Sequence, residues 1–160
     1  GNAAVDVIES GSRVVVKDLL LSREGDLANG MDFFTITLPS GRKLYYANPG
    51  TRENSWGSQV ITYKSSNQTS GKWEITETYG GKLTENVVQA IARDCLAVSI
   101  KRLTEKGFKI VMHIHDEVVI EAPMETTVDE VCEIMGQDIE WAEGLILRAD
   151  GFETMYYKKD

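Results

Sequence analysis

The sequence predicts an α+β fold: an antiparallel β-sheet with helices packed on one face, preceded by a segment rich in β-hairpins. Three observations carry this. Residues 1–81 hold runs of β-branched and aromatic side chains separated by turn residues. From residue 82 the apolar spacing lengthens to three to five residues, the period of a helical face. Helix punctuation is also present, as Gly107, Gly144 and the capping box Thr127-Val128-Asp129-Glu130. Strands gathered before helices point to helices on one side of an antiparallel sheet.

Taken in order, "GNAAVDVIESG" reads as the last turns of a helix that stops at Gly11, its start lying before residue 1. "RVVVKDLLLS" (13–22) is a β-branched run. "DFFTITL" and "KLYYA" flank the turn Pro39-Ser40-Gly41-Arg42, which makes a hairpin. "QVITYK" and "KWEITETY" flank the polar tip "SSNQTSG" (65–71), a second and longer hairpin. The next helix is expected over 84–106, with Thr84 as N-cap and Gly107 as stop. Its apolar face would carry Val88, Ile91, Cys95, Val98 and Leu103. A strand pair is expected over 110–123, a helix over 127–143 ended by Gly144, and a last strand over 145–150. The boundary between the β-rich segment and the remainder falls at 81/82.

The totals exclude several classes. At 160 residues the chain can bury roughly two-thirds of its unfolded surface. No apolar run approaches the roughly 20 residues of a membrane span, and no signal peptide opens the chain, so a cytoplasmic protein without a membrane partner is expected. Cys95 and Cys132 sit in helical patterns and read as reduced core residues. The net charge of −8 argues against a protein that simply coats nucleic acid. The charge is uneven: residues 1–81 carry 8 basic and 9 acidic side chains, residues 82–160 carry 9 and 16. No Lys or Arg lies between Lys109 and Arg148. That stretch reads as a solvated acidic face, or as acidity that helps hold a divalent cation near residue 116.

The most informative stretch is "IVMHIHDEVVIEAP" (110–123), which holds both histidines of the chain beside Asp116 and Glu117. In a continuous strand His113, His115 and Glu117 would share one face and Asp116 would fall among apolar neighbours. Burying an unpaired carboxylate is costly. The conflict disappears if 115–117 form a hairpin turn with Asp116 at its tip. Three chemistries fit such a knot. One is a plain polar turn. A second is a metal hydrolase with His113 and His115 as ligands, against which stand the lack of a third histidine and of an H-E-x-x-H helix. The third is an oxygen-ligated Mg²⁺ site for phosphoryl transfer, with Asp116 on the metal.

The preceding helix tips the balance. "TYGGKLTENVVQAIARD" (78–94) followed by "HIHDEVVIEAP" resembles the C-terminal palm of a family A, polymerase-I-like DNA polymerase, of the bacteriophage and prophage branch. "LPSGRKLYY" and "DGFETMYYKKD" are similar to that branch as well. The resemblance spans essentially the whole chain and is tightest over 78–123. It implies a DNA-directed nucleotidyltransferase of DNA replication, with primer-template DNA and deoxynucleoside triphosphates as partners and two Mg²⁺ ions as cofactors. It implies that Asp116 is the motif C aspartate that binds metal, and that Glu117 is the secondary acid beside it. His115 then touches the primer terminus, Gln89 contacts the minor groove at the nascent pair, and Arg93, one turn on, reaches a phosphate. Glu85 stands where many members have Asn, Asn86 is one position off, and His113 replaces a commonly polar residue.

Two parts of that family's machinery have no counterpart here. No stretch matches the motif A pattern D-[YF]-S-x-x-E, and "DVIE" (6–9) does not qualify. The fingers pattern R-x-x-x-K-x-x-x-F-G is absent as well. The expectation is the closing part of a polymerase, inactive alone and prone to self-association through an uncovered strand edge. The alternative is a non-catalytic DNA-binding or assembly piece of a split or remnant phage polymerase.

Overall fold

A computed structural model of the chain describes residues 1–157. They form two compact units, Gly1–Gln89 and Ala90 onward, with the boundary inside a helix.

The first unit is built on a six-stranded antiparallel meander in the spatial order β1-β2-β3-β4-β5-β6. Its strands are β1 (Val14–Val16), β2 (Leu19–Asp26), β3 (Met31–Thr37), β4 (Lys43–Glu53), β5 (Gln59–Ser66) and β6 (Trp73–Thr78). Both expected hairpins form, closed around Gly41 and around the 67–72 tip. The 13–22 run is not one strand. It folds back at Lys17, whose φ of 53° turns the chain so that Val16 pairs with Leu19. Alternation alone gave no sign of that turn, because Lys17-Asp18 lacks the glycine or asparagine that primed turns favour. β4 runs past its expected end to Glu53, with a bulge between Ala47 and Gly50.

One face of this sheet is covered. Helix α1 (Asn2–Ser10) ends as expected at Gly11, whose left-handed φ of 73° lets its N–H cap the Val7 carbonyl. Ala4, Val7 and Ile8 of α1 are buried, as are Leu21, Phe34, Ile36 and Tyr46 on the sheet. Arg23 locks the layer by donating to the Ile8 carbonyl and to both Asp32 carboxylate oxygens (3.0 and 2.7 Å). The Asp32 carboxyl is held below the usual carboxylate range by that guanidinium.

Helix α2 (Gly80–Glu105) starts four residues earlier than expected. Thr84 is therefore not the N-cap; its hydroxyl donates back to the Gly80 carbonyl at 2.9 Å. The expected apolar face holds in the second half of the helix, where Cys95 and Leu103 are buried, and is rotated in the first. Val88 is 61% exposed and Ile91 half-buried, whereas Leu83, Val87, Ala90, Cys95, Ser99 and Leu103 are buried. The sheet decides this: Asn86 donates to the Tyr46 hydroxyl at 3.0 Å, which turns the Leu83–Val87 side inward. Gly107 ends the helix with φ 88°, and Phe108 N–H returns to the Leu103 carbonyl.

In the second unit, β7 (Lys109–Ile114) and β8 (Glu117–Glu121) form a separate two-stranded sheet. Thr127 caps α3 (Val128–Met135) by accepting from Glu130 N–H. That helix does not reach 143. It stops at Gly136, and Arg102 on α2 donates to the Gln137 and Asp138 carbonyls (2.9 and 2.6 Å), which draws the chain out of helical geometry. A short 3-10 turn, Glu140–Ala142, follows, and Gly144 (φ 79°) ends that instead. Residues 145–150 form no strand: among the described residues β7 and β8 pair with each other alone, and a strand needs a ladder partner. Cys95 is buried and Cys132 half-buried, both unpaired, and burial raises both thiols above their ordinary range. Of the closing "DGFETMYYKKD", residues 158–160 lie outside the described residues.

Candidate active-site hairpin

The β7–β8 hairpin places the residues that the sequence singled out. Ile114 pairs with Glu117, so the turn is the dipeptide His115-Asp116. A two-residue turn must bend with the right-handed strand twist, and that demands left-handed φ. His115 supplies it at φ 54°. Asp116 then projects at the tip, exposed, and no ion pair holds it among the described residues. Glu117 is exposed beside it and opens β8. At the root, Lys109 bonds Glu121 at 2.8 Å and holds its carboxyl below the usual range.

The ladder also separates the two histidines. A bulge at Val111 sets Met112 against Val119 and His113 against Val118. Directly opposed residues share a face, so His113 shares one with Val118, while Ile114 and Glu117 share the other. Among the described residues no group of three or more His, Cys, Asp or Glu side chains is placed to hold a metal ion. The histidine-ligated hydrolase thus has no donor set here. The two neighbouring, solvent-facing carboxylates of the tip are oxygen donors of the kind Mg²⁺ takes, and they would form part of its shell of about six oxygens, with water and substrate oxygens among the rest.

Gln89 and Arg93 both lie on α2 and are exposed. The Gln89 amide donates to Glu85 Oε1 at 3.3 Å, and Glu85 also meets Lys82 Nζ at 3.2 Å. Asn86, which sequence spacing left without a role, is committed to Tyr46. Arg93, His115, Asp116 and Glu117 belong to one compact unit and Gln89 to the other. No described helix is long and apolar enough to cross a membrane.

Compared with known proteins, the chain is similar to the DNA polymerase of Bacillus phage SP02. It is 52% identical to that protein over 127 residues, 78% of this chain. A stretch of that share includes α2 and the β7–β8 hairpin wherever it starts. The chain spans about a fifth (19%) of the length of that polymerase. No protein-family model matches the chain, and no solved structure matches it.

Proposed function

We propose that this chain is the motif C part of the palm of a family A DNA polymerase, and that its hairpin presents Asp116 to the catalytic Mg²⁺ ions of the whole enzyme. The observation that carries the reading is Asp116 itself. It is an exposed carboxylate with no ion pair among the described residues, at the tip of a two-residue turn within the stretch that resembles a phage DNA polymerase. A strand pair holds such a group more firmly than a loop does. Mg²⁺ would supply charge neutralisation for phosphoryl transfer. This chain contributes Asp116 as one ligand, with Glu117 as the adjacent acid. The remaining ligands come from polymerase segments outside the chain. His115 lies against the primer terminus, Gln89 meets the minor groove at the new pair, and Arg93 meets a backbone phosphate.

The function is deoxynucleotide addition to a primer 3′ end by the assembled enzyme, and the chain alone is inactive. A graft tests it. The matching fifth of the SP02 polymerase is replaced by this chain, and primer extension is measured with Mg²⁺ and deoxynucleoside triphosphates. Extension by the graft supports the reading. A folded graft that binds primer-template yet extends nothing contradicts it. The second reading, a non-catalytic DNA-binding or assembly piece, draws on the lack of a complete metal-ligand set among the described residues. It expects a graft whose extension is unchanged by Asp116→Ala.

A further inference from the structure

On the side opposite α1 the six-stranded sheet buries Ser22 and Thr35 of β2 and β3 but leaves the β4–β6 part of the face open, and that part is neither uniformly polar nor randomly apolar. Strand register settles which side chains it carries. Tyr46 and Tyr63 touch rings at 5.1 Å on the covered face, so their neighbours Tyr45 and Lys64 lie on the open one. Ala47 opposes Lys64, which opposes Ile75; one step along, Ser66 opposes Trp73. The open face therefore carries Tyr45, Trp73 and Ile75, which are 60, 69 and 67% exposed, around Lys64. Phe33 packs edge-on against Tyr45 at 5.7 Å and props that ring from the side.

The two chain segments that carry these rings hold charges of one sign. The segments 38–45 and 64–73 meet at one end of the sheet, and they hold Arg42, Lys43, Lys64 and Lys72 with no Asp or Glu. Of the acids on this face, Glu24 is matched by Lys43 at 2.8 Å and Glu77 by Arg52, while Asp26 lies at the opposite end of β2 and accepts from Ala28 N–H and the Asn29 amide. In a chain of net charge −8 this is a local reversal. Flat rings left open to solvent beside exposed lysines such as Lys64 and Lys72 are the chemistry of a single-strand stacking surface, where bases lie on aromatic faces and phosphates meet lysines.

We infer that this face binds single-stranded DNA, with bases stacked on Tyr45 and Trp73 and the backbone held by Lys64 and Lys72. This site lies wholly within the first unit and does not depend on the polymerase reading. Its test uses neither Mg²⁺ nor nucleotide, so the two fail separately. The probe is a fluorescein-labelled oligothymidine of about 12 nucleotides, read by anisotropy and by quenching of tryptophan fluorescence at about 50 mM salt. The intact 160-residue chain is used. Binding should weaken about 10-fold in Tyr45→Ala and in Trp73→Ala, and be largely restored in Tyr45→Phe and Trp73→Phe. Lys64→Gln and Lys72→Gln should each lower the salt slope by about 0.7. Because these side chains are exposed, the variants keep the circular dichroism of the parent. Any of four results overturns the inference. One is no binding at low salt. Another is binding indifferent to the ring substitutions. The third is a duplex of equal length bound as tightly as the single strand, which marks plain charge attraction. If Tyr45→Ala or Trp73→Ala instead abolishes protein–protein association while leaving oligothymidine binding unchanged, the face is a protein contact and the inference falls.

Discussion

His115 does two things that separate experimentally. Its imidazole is the group proposed to meet the primer end, while its backbone sits at φ 54°, where side chains with a Cβ are crowded. His115→Gly relieves the crowding and should stabilise the hairpin by about 1 kcal/mol. His115→Val should destabilise it by about the same amount or more, since β-branching aggravates the clash. Denaturant midpoints measure both. In the graft both variants should extend primers poorly, because both lack the ring; equal activity in His115→Gly and the parent would leave the imidazole without a role. Asp116 at the tip was legible from sequence because a carboxylate amid a β-branched run must escape burial. The left-handed His115 was not legible, since nothing in the local composition marks histidine as the bending residue.

Among the elements, the first sheet depends on the Arg23 knot between α1, β2 and β3. The Asp32 carboxyl is lowered by its bonds from Arg23, so its contribution is present in full above the ordinary carboxylate range and is lost as pH falls through the lowered value. Stability of the parent should therefore drop below about pH 4, and Asp32→Asn should flatten that limb while lowering stability at neutral pH. Thermal unfolding across pH decides this; an unchanged acid limb would mean the knot contributes nothing. In the second unit Arg102→Ala removes two bonds to the Gln137 and Asp138 carbonyls and should cost about 1–2 kcal/mol. The hairpins, α1 and the Thr127 cap were legible because each has a local signature. The face of α2 and the early end of α3 were not. The first is set by Tyr46 reaching Asn86 and the second by Arg102 reaching past Gly136, contacts 40 and at least 35 residues apart in sequence.

For the whole molecule, the hairpin sheet has two strands among the described residues, and Val111, Met112 and Ile114 on it are 55, 37 and 37% exposed. Open edges of this kind pair with other chains. The isolated chain should self-associate at low micromolar concentration by light scattering, and a charge placed at Val111 should shift it toward monomer. A monomer with strongly protected hydrogen exchange along both β7 and β8 would remove that expectation. The α+β class was legible because strands and helices occupy separate halves of the sequence. The division into two units inside α2 was not, since a helix carries no mark of which core each turn joins.

Whether Asp116 supplies a catalytic metal ligand is decided by single-turnover primer extension with the SP02 graft, Asp116→Ala being compared with the exposed control Asp138→Ala. If it does, Asp116→Ala loses at least about 10³-fold in rate, with primer-template affinity nearly unchanged and the control at the parent rate. A rate for Asp116→Ala within a few-fold of the parent would contradict that role.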